Sequence, residues 1–324
     1  MSEILLEVKD LKQYYPVRKG MFGKTQYVKA LDGVSFELRK GEVFGIVGES
    51  GCGKSTMGLT ISKLLEPTGG QIILNGVDIT RFKGNAMREV RKSIQMVFQD
   101  PYASLNPRMS VREIIGEPLE IHKLCKTRKE ADERVVDLLR KVGLDDYHAN
   151  RYAHEFSGGQ RQRIGIARAL AVLPEIIIAD EPVSALDVSI QSQVLNLMSD
   201  LREQLDLTYI FIAHDLSVVE HISDRIGVMY LGNFVEISDK KDMYKNPKHP
   251  YTQALLSAVP VPDPTVKKER IILEGNIPSP INAPSGCKFH PRCHKCMEIC
   301  KHEAPPLVQV TPDHAVYCHL YRDE

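Results

Sequence analysis

Continuous apolar runs and longer helical patterns alternate over the first two thirds of the chain. Four of the runs are apolar nearly throughout rather than at every second position, and they occupy residues 43–48, 175–180, 208–213 and 225–231. Such runs are typical of strands buried on both faces of a parallel sheet. Apolar residues at helical spacing over 109–145 predict a helical subdomain at about 100–172. The pattern therefore predicts an α/β fold in which helices cover a sheet.

The chain changes character near residue 244. Pro-rich and turn-rich segments such as "NPKHPYTQ", "AVPVPDP" and "NIPSPINAPSG" follow, and they predict a main domain at 1–243 and a C-terminal extension at 244–324. The most apolar later stretch, "ALAVLPEIIIA", is interrupted by Pro174 and Glu175, so no membrane span is expected. We therefore expect a soluble, cytosolic protein.

The charge balance argues against one large class of partner. Lys and Arg number 42, Asp and Glu also number 42, and the formal net charge is zero, so a basic nucleic-acid-binding surface is not expected. Hydrophobic residues make up 43% of the 324 residues, which is enough for packed cores and argues against disorder. Local motifs must therefore indicate the function.

The first motif, "GESGCGKST", lies directly after an apolar run and before a helical segment, and it matches the phosphate-loop pattern. Its glycines let backbone N–H groups converge on a phosphate chain, and the helix N-terminus adds its dipole. Lys54 is predicted to hold the β- and γ-phosphates and Ser55 to ligate Mg²⁺. The nucleotide-binding residues predicted here are Gly48, Ser50, Gly51, Cys52, Gly53, Lys54, Ser55 and Thr56.

The second motif is a pair of carboxylates, Asp180 and Glu181, at the end of the apolar run "IIIAD". Adjacent carboxylates after a buried strand are costly unless they meet cations, hydrogen-bond donors or water. Ligands bind at the carboxyl ends of strands in such folds. We predict that Asp180 reaches Mg²⁺ through its water shell and that Glu181 polarises the attacking water.

The third motif, "SGGQ", opens a predicted helix with Ser157, Gly158, Gly159 and Gln160. A serine and two glycines at a helix start can form a second anion site. One nucleotide cannot use two phosphate cradles so far apart in sequence, so the pattern implies a second molecule. A capped helix with a flexible entry is the alternative interpretation.

These motifs occur together with "VFQD", "SALD" and "FIAHD", and their order resembles that of ATP-binding cassette ATPases over residues 1 to about 240. The resemblance implies a phosphate-loop cassette fold with a mixed sheet and a helical subdomain. It also implies that Gln99 contacts Mg²⁺ and senses a membrane partner, that Asp187 reaches across a dimer, and that His214 contacts the γ-phosphate.

An aromatic residue near the N-terminus resembles the one that stacks on adenine in this family. Tyr15 is the candidate, and its neighbour Tyr14 is the one-residue alternative. The family also works as head-to-tail pairs, with ATP between one partner's phosphate loop and the other's "SGGQ". This implies that Ser157–Gln160 act on the partner's nucleotide.

The C-terminal extension resembles that of ATP-binding subunits from oligopeptide and dipeptide importers, through "HPYTQALLSAVP" and the later cysteines. This implies an ATP-hydrolysing subunit on the cytoplasmic face of the membrane, with two permease subunits and an extracytoplasmic solute-binding protein. The insertion at 14–36 resembles the second of two ATPase subunits that pair as a heterodimer. Importers of nickel, glutathione or oligosaccharides, and a soluble non-transport cassette ATPase, remain alternatives.

Five of the seven cysteines follow residue 286. The spacing of four of them resembles the [4Fe-4S] ligands of such importer subunits, and thiolates suit iron–sulfur sites; these are Cys287, Cys293, Cys300 and Cys318. Cys296 is then spare. Cys293 and Cys296 with His290, His294 or His302 form an alternative zinc pattern, and thiols without metal are a third possibility. A small metal-bound extension is therefore the expectation.

Overall fold

The computed structural model describes residues 3–18, 25–259 and 269–322. Its strands are β1 Ile4–Arg18, β2 Thr25–Arg39, β3 Val43–Val47, β4 Gly69–Leu74, β5 Val77–Asp78, β6 Ile94–Val97, β7 Ile176–Asp180, β8 Thr208–Ile212, β9 Arg225–Tyr230, β10 Asn233–Asp239, β11 Leu307–Thr311 and β12 His314–Tyr317. Its α-helices are α1 Lys54–Ile61, α2 Gly84–Ser93, α3 Val111–Ile121, α4 Arg128–Lys141, α5 Gly158–Leu170, α6 Val188–Leu205, α7 Leu216–Ile222, α8 Lys240–Lys245 and α9 Pro250–Ser257.

Two parts of the sequence interpretation fall partly outside these ranges. Residues 19–24 of the predicted second-subunit insertion, and the last residue of "HPYTQALLSAVP", lie outside the described residues. Within the described part of the chain, no helix is both long and apolar enough to cross a membrane.

The chain forms two compact units. The first, which we call the helical unit, includes Arg39–Glu42 and Arg81–Ile212. The second, the phosphate-loop unit, includes Ile4–Leu38, Val43–Thr80 and Ala213–Glu324. The predicted division at residue 243 is not the division between these units, and it stays a prediction.

The helical unit contains three parallel strands. β6 pairs with β7 and β7 pairs with β8, and every residue of β7 and β8 is buried, which confirms two of the predicted buried strands. Helices α3 and α4 confirm the helical pattern predicted over 109–145. A capping box between Ser110 and Glu113 begins α3, because it satisfies N–H groups that the first turn leaves unpaired.

The phosphate-loop unit contains a mixed sheet. β3 and β9 are parallel, whereas β9 with β10, β10 with β12, and β12 with β11 are antiparallel. A second sheet has the strand order β2-β1-β4-β5. The predicted mixed sheet is therefore confirmed, and the buried strand β3 leads directly into the phosphate loop.

The C-terminal extension is tied to the mixed sheet more closely than its turn-rich sequence predicts. β12 pairs with β10, with Glu236 opposite Val316. The fully buried Glu236 carboxylate lies 2.7 Å from His314 Nε2 and accepts the backbone N–H groups of Lys248 and His249. A buried carboxylate is stable only when it is paired in this way, so the extension completes the polar contacts of β10.

Candidate nucleotide site

The phosphate loop between β3 and α1 has a backbone shape that two of its glycines make possible. Gly48 and Gly53 have φ values of 155° and 109°. A Cβ on Gly48 would lie 2.2 Å from the carbonyl oxygen of Met229, and one on Gly53 would lie 2.3 Å from that of Ala30. Any side chain at these positions would displace backbone atoms. Glycine is therefore required at both positions, whereas the convergence of the loop's N–H groups on a phosphate chain stays a prediction.

Lys54 lies against the loop that precedes it. The residue is 5% exposed, and its Nζ donates to the carbonyl oxygens of Gly48 at 2.8 Å and Glu49 at 3.3 Å. A phosphate oxygen is a stronger partner for an ammonium group than a neutral carbonyl. Bound nucleotide can therefore take over these contacts. Burial raises the pKa of the neighbouring Cys52 thiol, which keeps it protonated at neutral pH.

Two predicted site residues of the helical unit come together at the end of β7. Gln99 Nε2 donates to Glu181 Oε2 at 3.0 Å, although the residues are 82 positions apart. Glu181 has a left-handed φ of 45°, a conformation that costs about 1–2 kcal/mol outside glycine. Its N–H donates to the carbonyl oxygen of Ile212 at 2.9 Å. The structure thus fixes Glu181 by its backbone and its carboxylate, beside the buried Asp180.

The "SGGQ" segment begins α5 with a capping box. The Ser157 N–H donates to Gln160 Oε1 at 3.1 Å, and the Gln160 N–H donates to Ser157 Oγ at 3.4 Å. A Cβ on Gly159 would lie 2.4 Å from Ile190 Cγ2, so glycine is needed for helix packing. The capped-helix interpretation describes this local geometry. Binding of a second molecule's phosphate by the same segment stays a prediction.

The remaining predicted nucleotide-site residues lie at three places. Asp187 is exposed at the N-cap of α6. His214 follows Ala213, whose N–H donates to the carbonyl oxygen of Ile46 in β3 at 3.0 Å, so His214 is held beside the strand that leads into the phosphate loop. Tyr14 donates its hydroxyl hydrogen to Asp32. Stacking of Tyr15 on adenine, with Tyr14 as the one-residue alternative, stays a prediction.

The four cysteines predicted as ligands lie close together. The thiols of Cys287, Cys293, Cys300 and Cys318 are within electrostatic range of one another in all six pairings. Burial, with a smaller contribution from the neighbouring thiols, raises the pKa of Cys287 to about 12 and that of Cys318 to about 11. Cys296 is exposed, and all seven cysteines are free of disulfide bonds. The four cysteines predicted as ligands are therefore close to one another, and Cys296 is an exposed neighbour of this group.

The metal predicted for this extension is not shown. Among the described residues, no group of three or more His, Cys, Asp or Glu side chains is arranged to hold a metal ion. His302 Nε2 lies 3.3 Å from a Glu298 oxygen, and His290 Nδ1 lies 3.0 Å from the carbonyl oxygen of Cys287. This finding supports neither the [4Fe-4S] cluster nor the zinc alternative. Four thiols are the donor type that such a cluster takes.

Sequence reasoning missed two residues that contact the phosphate loop. Arg292 donates two hydrogen bonds to the Glu49 carboxylate, at 2.6 and 2.9 Å. The Tyr251 hydroxyl accepts the Glu49 N–H at 2.9 Å. Both residues lie in segments that attract attention in the sequence, "HPYTQ" and "HPRC", but nothing in the sequence indicates that they meet Glu49.

Comparison with known families agrees with this geometry. Residues 31–184 match the model described as "ABC transporter", and residues 235–300 match "Oligopeptide/dipeptide transporter, C-terminal region". The chain is 59% identical to the oligopeptide transport ATP-binding protein AppF of Bacillus subtilis (strain 168), over 99% of this chain and 98% of that protein. It is 52% identical to the dipeptide transport ATP-binding protein DppF of Escherichia coli (strain K12), over 95% and 92% of the two chains.

A solved structure with a similar fold is the dimeric, post-hydrolysis state of the ATP-binding cassette MJ0796 bound to ADP and Pi. Its TM-score is 0.65 at 29% sequence identity, and the match covers 73% of this chain and 99% of that one. The similarity to a cassette solved with nucleotide products covers most of the described chain.

Proposed function

The chain belongs to the ATP-binding cassette transporter ATPases that carry the oligopeptide/dipeptide transporter C-terminal region, and we propose that it powers the import of oligopeptides or dipeptides through a separate membrane pore. One observation carries the proposal: a phosphate loop and a fixed Glu181 carboxylate occur in the same chain as the peptide-importer type of extension. Relatives named for oligopeptide and dipeptide transport favour peptide cargo over nickel, glutathione or oligosaccharides.

The phosphate loop would bind the β- and γ-phosphates of ATP through its backbone N–H groups, and Lys54 would balance their charge. The Ser55 hydroxyl and the Gln99 side-chain oxygen are hard oxygen ligands of the kind that Mg²⁺ prefers. Gln99 donates to Glu181 through its nitrogen, which leaves its oxygen as the ligand atom. When bound, Mg²⁺ would neutralise charge on the transferred phosphate. Tyr15 would stack on adenine.

Glu181 would act as the general base that takes a proton from the attacking water. The hydrogen bond from Gln99 fixes the orientation of its carboxylate. Asp180 would contribute through the water shell of Mg²⁺, and His214 would contact the γ-phosphate and hold the geometry of the water.

A second cassette subunit would complete the site. We infer a heterodimer in which Ser157–Gln160 of one subunit meet ATP on the phosphate loop of the other, with Asp187 at the junction. The helix dipole at the start of α5 favours such an anion contact. Two permease subunits, an extracytoplasmic solute-binding protein and a position on the cytoplasmic face complete the proposed importer. Loss of the γ-phosphate would loosen the pair and drive the pore.

We also propose a [4Fe-4S] cluster on Cys287, Cys293, Cys300 and Cys318. The gathering of these four thiols supports it, because the donors come from distant parts of a segment with little apolar core. When bound, the cluster would supply covalent cross-links between those parts. The cysteines would hold the turns in place, and no step of ATP hydrolysis passes through them.

Replacement of Glu181 tests the catalytic assignment. Glu181→Gln keeps the hydrogen-bonding shape but removes the base, so ATP turnover should fall about 10²–10⁴-fold while ATP binding persists. Turnover and nucleotide affinity of the purified complex would be measured together. Wild-type turnover in this variant would reject the role of Glu181, and failure to copurify permease subunits would reject the proposed transport role.

A further inference from the structure

Two elements of the C-terminal extension converge on one phosphate-loop residue, Glu49. Its carboxylate accepts both Nη groups of Arg292, its N–H donates to the Tyr251 hydroxyl, and its carbonyl oxygen accepts from Lys54 Nζ at 3.3 Å. Glu49 is therefore held through its side chain and both backbone polar groups. The carbonyl oxygen thus contacts the lysine predicted to bind phosphate, and it also accepts the Cys52 N–H at 3.2 Å.

The Arg292–Glu49 pair is well shielded from solvent. The Arg292 side chain is 7% exposed and that of Glu49 is 24% exposed. The paired hydrogen bonds fix both the position and the plane of the carboxylate, and the contact with Glu49 raises the pKa of Arg292. The guanidinium carbon lies 5.9 Å from the centre of the Tyr230 ring. Turning Glu49 away would leave a buried cation without its partner, which is strongly unfavourable.

Arg292 is placed by the segment that carries the thiols. It ends a short 3-10 turn, His290–Arg292, that lies between Cys287 and Cys293. The N–H of Arg292 donates to Phe289 at 3.0 Å, and the N–H of Cys287 donates to the carbonyl oxygen of Cys300 at 2.8 Å. We call Cys287–Cys300 the thiol segment. Lys295 of this segment contacts Gln253, and Lys301, the residue that follows the segment, contacts Glu298.

We propose that Arg292 is a positioning residue for ATP binding, through which the thiol segment holds the phosphate loop in its nucleotide-binding shape. This inference rests on the proposed function, because it assumes that Lys54 binds the phosphates of ATP. If Glu49 is released, its carbonyl oxygen moves and the Lys54 ammonium loses its position. ATP affinity then falls, whereas the chemistry at Glu181 is unchanged once ATP is bound.

Titration of the purified full chain with fluorescent N-methylanthraniloyl-ATP, together with steady-state ATPase kinetics, tests the proposal. Arg292→Ala should weaken binding about tenfold and raise KM by a similar factor, with little change in kcat, because a charge-assisted bidentate contact is lost. Arg292→Lys should recover part of the affinity. Lys301→Ala is the matched control, since it removes the cation that directly follows the segment and contacts Glu298 rather than Glu49. The nucleotide affinity of this variant should equal that of the wild type.

Two further variants distinguish a loss of Glu49 positioning from a general loss of the folded structure. The exchanged pair Arg292→Glu with Glu49→Arg should bind the nucleotide more tightly than Arg292→Glu alone. Cys293→Ser should weaken binding as Arg292→Ala does, and should add nothing when combined with it. Thermal melting confirms that each variant is folded.

Wild-type affinity in Arg292→Ala, or no recovery in the exchanged pair, would overturn the proposal. The exchanged pair decides the matter if Arg292→Ala fails to fold. Lys54→Ala tests the proposed function separately: wild-type nucleotide affinity in that variant would reject the phosphate-binding role on which the inference depends.

Discussion

The phosphate loop and the thiol segment hold their shapes in opposite ways, although they touch at Glu49. The phosphate loop depends on close backbone packing, since Gly48 and Gly53 lie against carbonyl oxygens where a Cβ cannot fit. The thiol segment consists mainly of short 3-10 turns, and it depends on side chains that meet over long sequence distances. The loop should therefore be sensitive to a single added carbon atom, and the segment to the loss of a single cross-link.

The largest expected effect tests the loop. Gly53→Ala places a Cβ 2.3 Å from the Ala30 carbonyl oxygen at a φ of 109°, so steric overlap adds to backbone strain. We expect the free energy of unfolding to fall by roughly 4 kcal/mol and nucleotide binding to be lost. Denaturant unfolding and N-methylanthraniloyl-ATP titration would measure the two effects.

Gly51→Ala is the matched control for this prediction. Gly51 has a φ of 80°, but a Cβ there would meet nothing within 4 Å. Only the backbone strain remains, so the loss should be about 1 kcal/mol. Equal losses in the two variants would show that close packing does not shape the loop.

A smaller effect is expected from breaking the cross-link of the thiol segment. Cys318→Ser removes one proposed cluster ligand, so iron and sulfide should be lost from anaerobically purified protein. Cys318 lies 18 residues beyond Cys300, and the loss of a cross-link over a loop of this size should lower the free energy of unfolding by about 3 kcal/mol. Metal and sulfide analysis with denaturant unfolding would measure this.

Cys296→Ser provides the comparison within the same segment. Cys296 is exposed and stands outside the proposed ligand set, so iron content and stability should stay at the wild-type level. Stoichiometric zinc without sulfide in the wild-type protein would reject the cluster. Loss of iron from Cys296→Ser but not from Cys318→Ser would reject this choice of ligands.

The same contrast explains what could be predicted from the sequence. Phosphate binding follows from residues 48–56 because their spacing, glycines and following helix are all local. The buried strands were predicted from short apolar runs for the same reason. The contact of Gln99 with Glu181 joins residues 82 positions apart, so the residues alone pointed only to Glu181 and the family resemblance supplied Gln99.

The contacts that the C-terminal extension makes with the rest of its unit could not be predicted from the sequence. Arg292 meets Glu49 across 243 positions, and neither periodicity nor composition records which cation pairs with which carboxylate. The pairing of β12 with β10 was missed for a related reason, since Pro-rich flanks hid two short strands. The turn-rich sequence therefore predicted an appendage, whereas the structure shows a segment that adds two strands to a sheet and contacts Glu49 of the phosphate loop.

The smallest expected effect concerns His249, which packs against the thiol segment and should make the free energy of unfolding depend on pH. His249 is buried, and its ring centre lies 5.5 Å from that of Phe289. Burial lowers its pKa from 6.5 to about 4. Between pH 6.5 and pH 4 the unfolded chain therefore binds more protons at His249 than the folded chain does. The folded state has its full stability above pH 6.5 and loses this part of it as the pH falls toward 4. At pH 5 the loss should be about 2 kcal/mol.

His249→Asn isolates this contribution, because asparagine keeps a side-chain oxygen that can accept the Tyr251 N–H but does not titrate. In the folded protein His249 Nδ1 accepts that N–H at 3.1 Å. Urea unfolding at pH 7.5 and pH 5 should show a smaller loss on acidification in the variant than in the wild type. Other titrating groups nearby, including His314 and Glu236, are common to both proteins and cancel in the comparison. An equal loss would mean that His249 is protonated in the folded state as readily as in the unfolded chain, and that its burial adds no acid sensitivity to the extension.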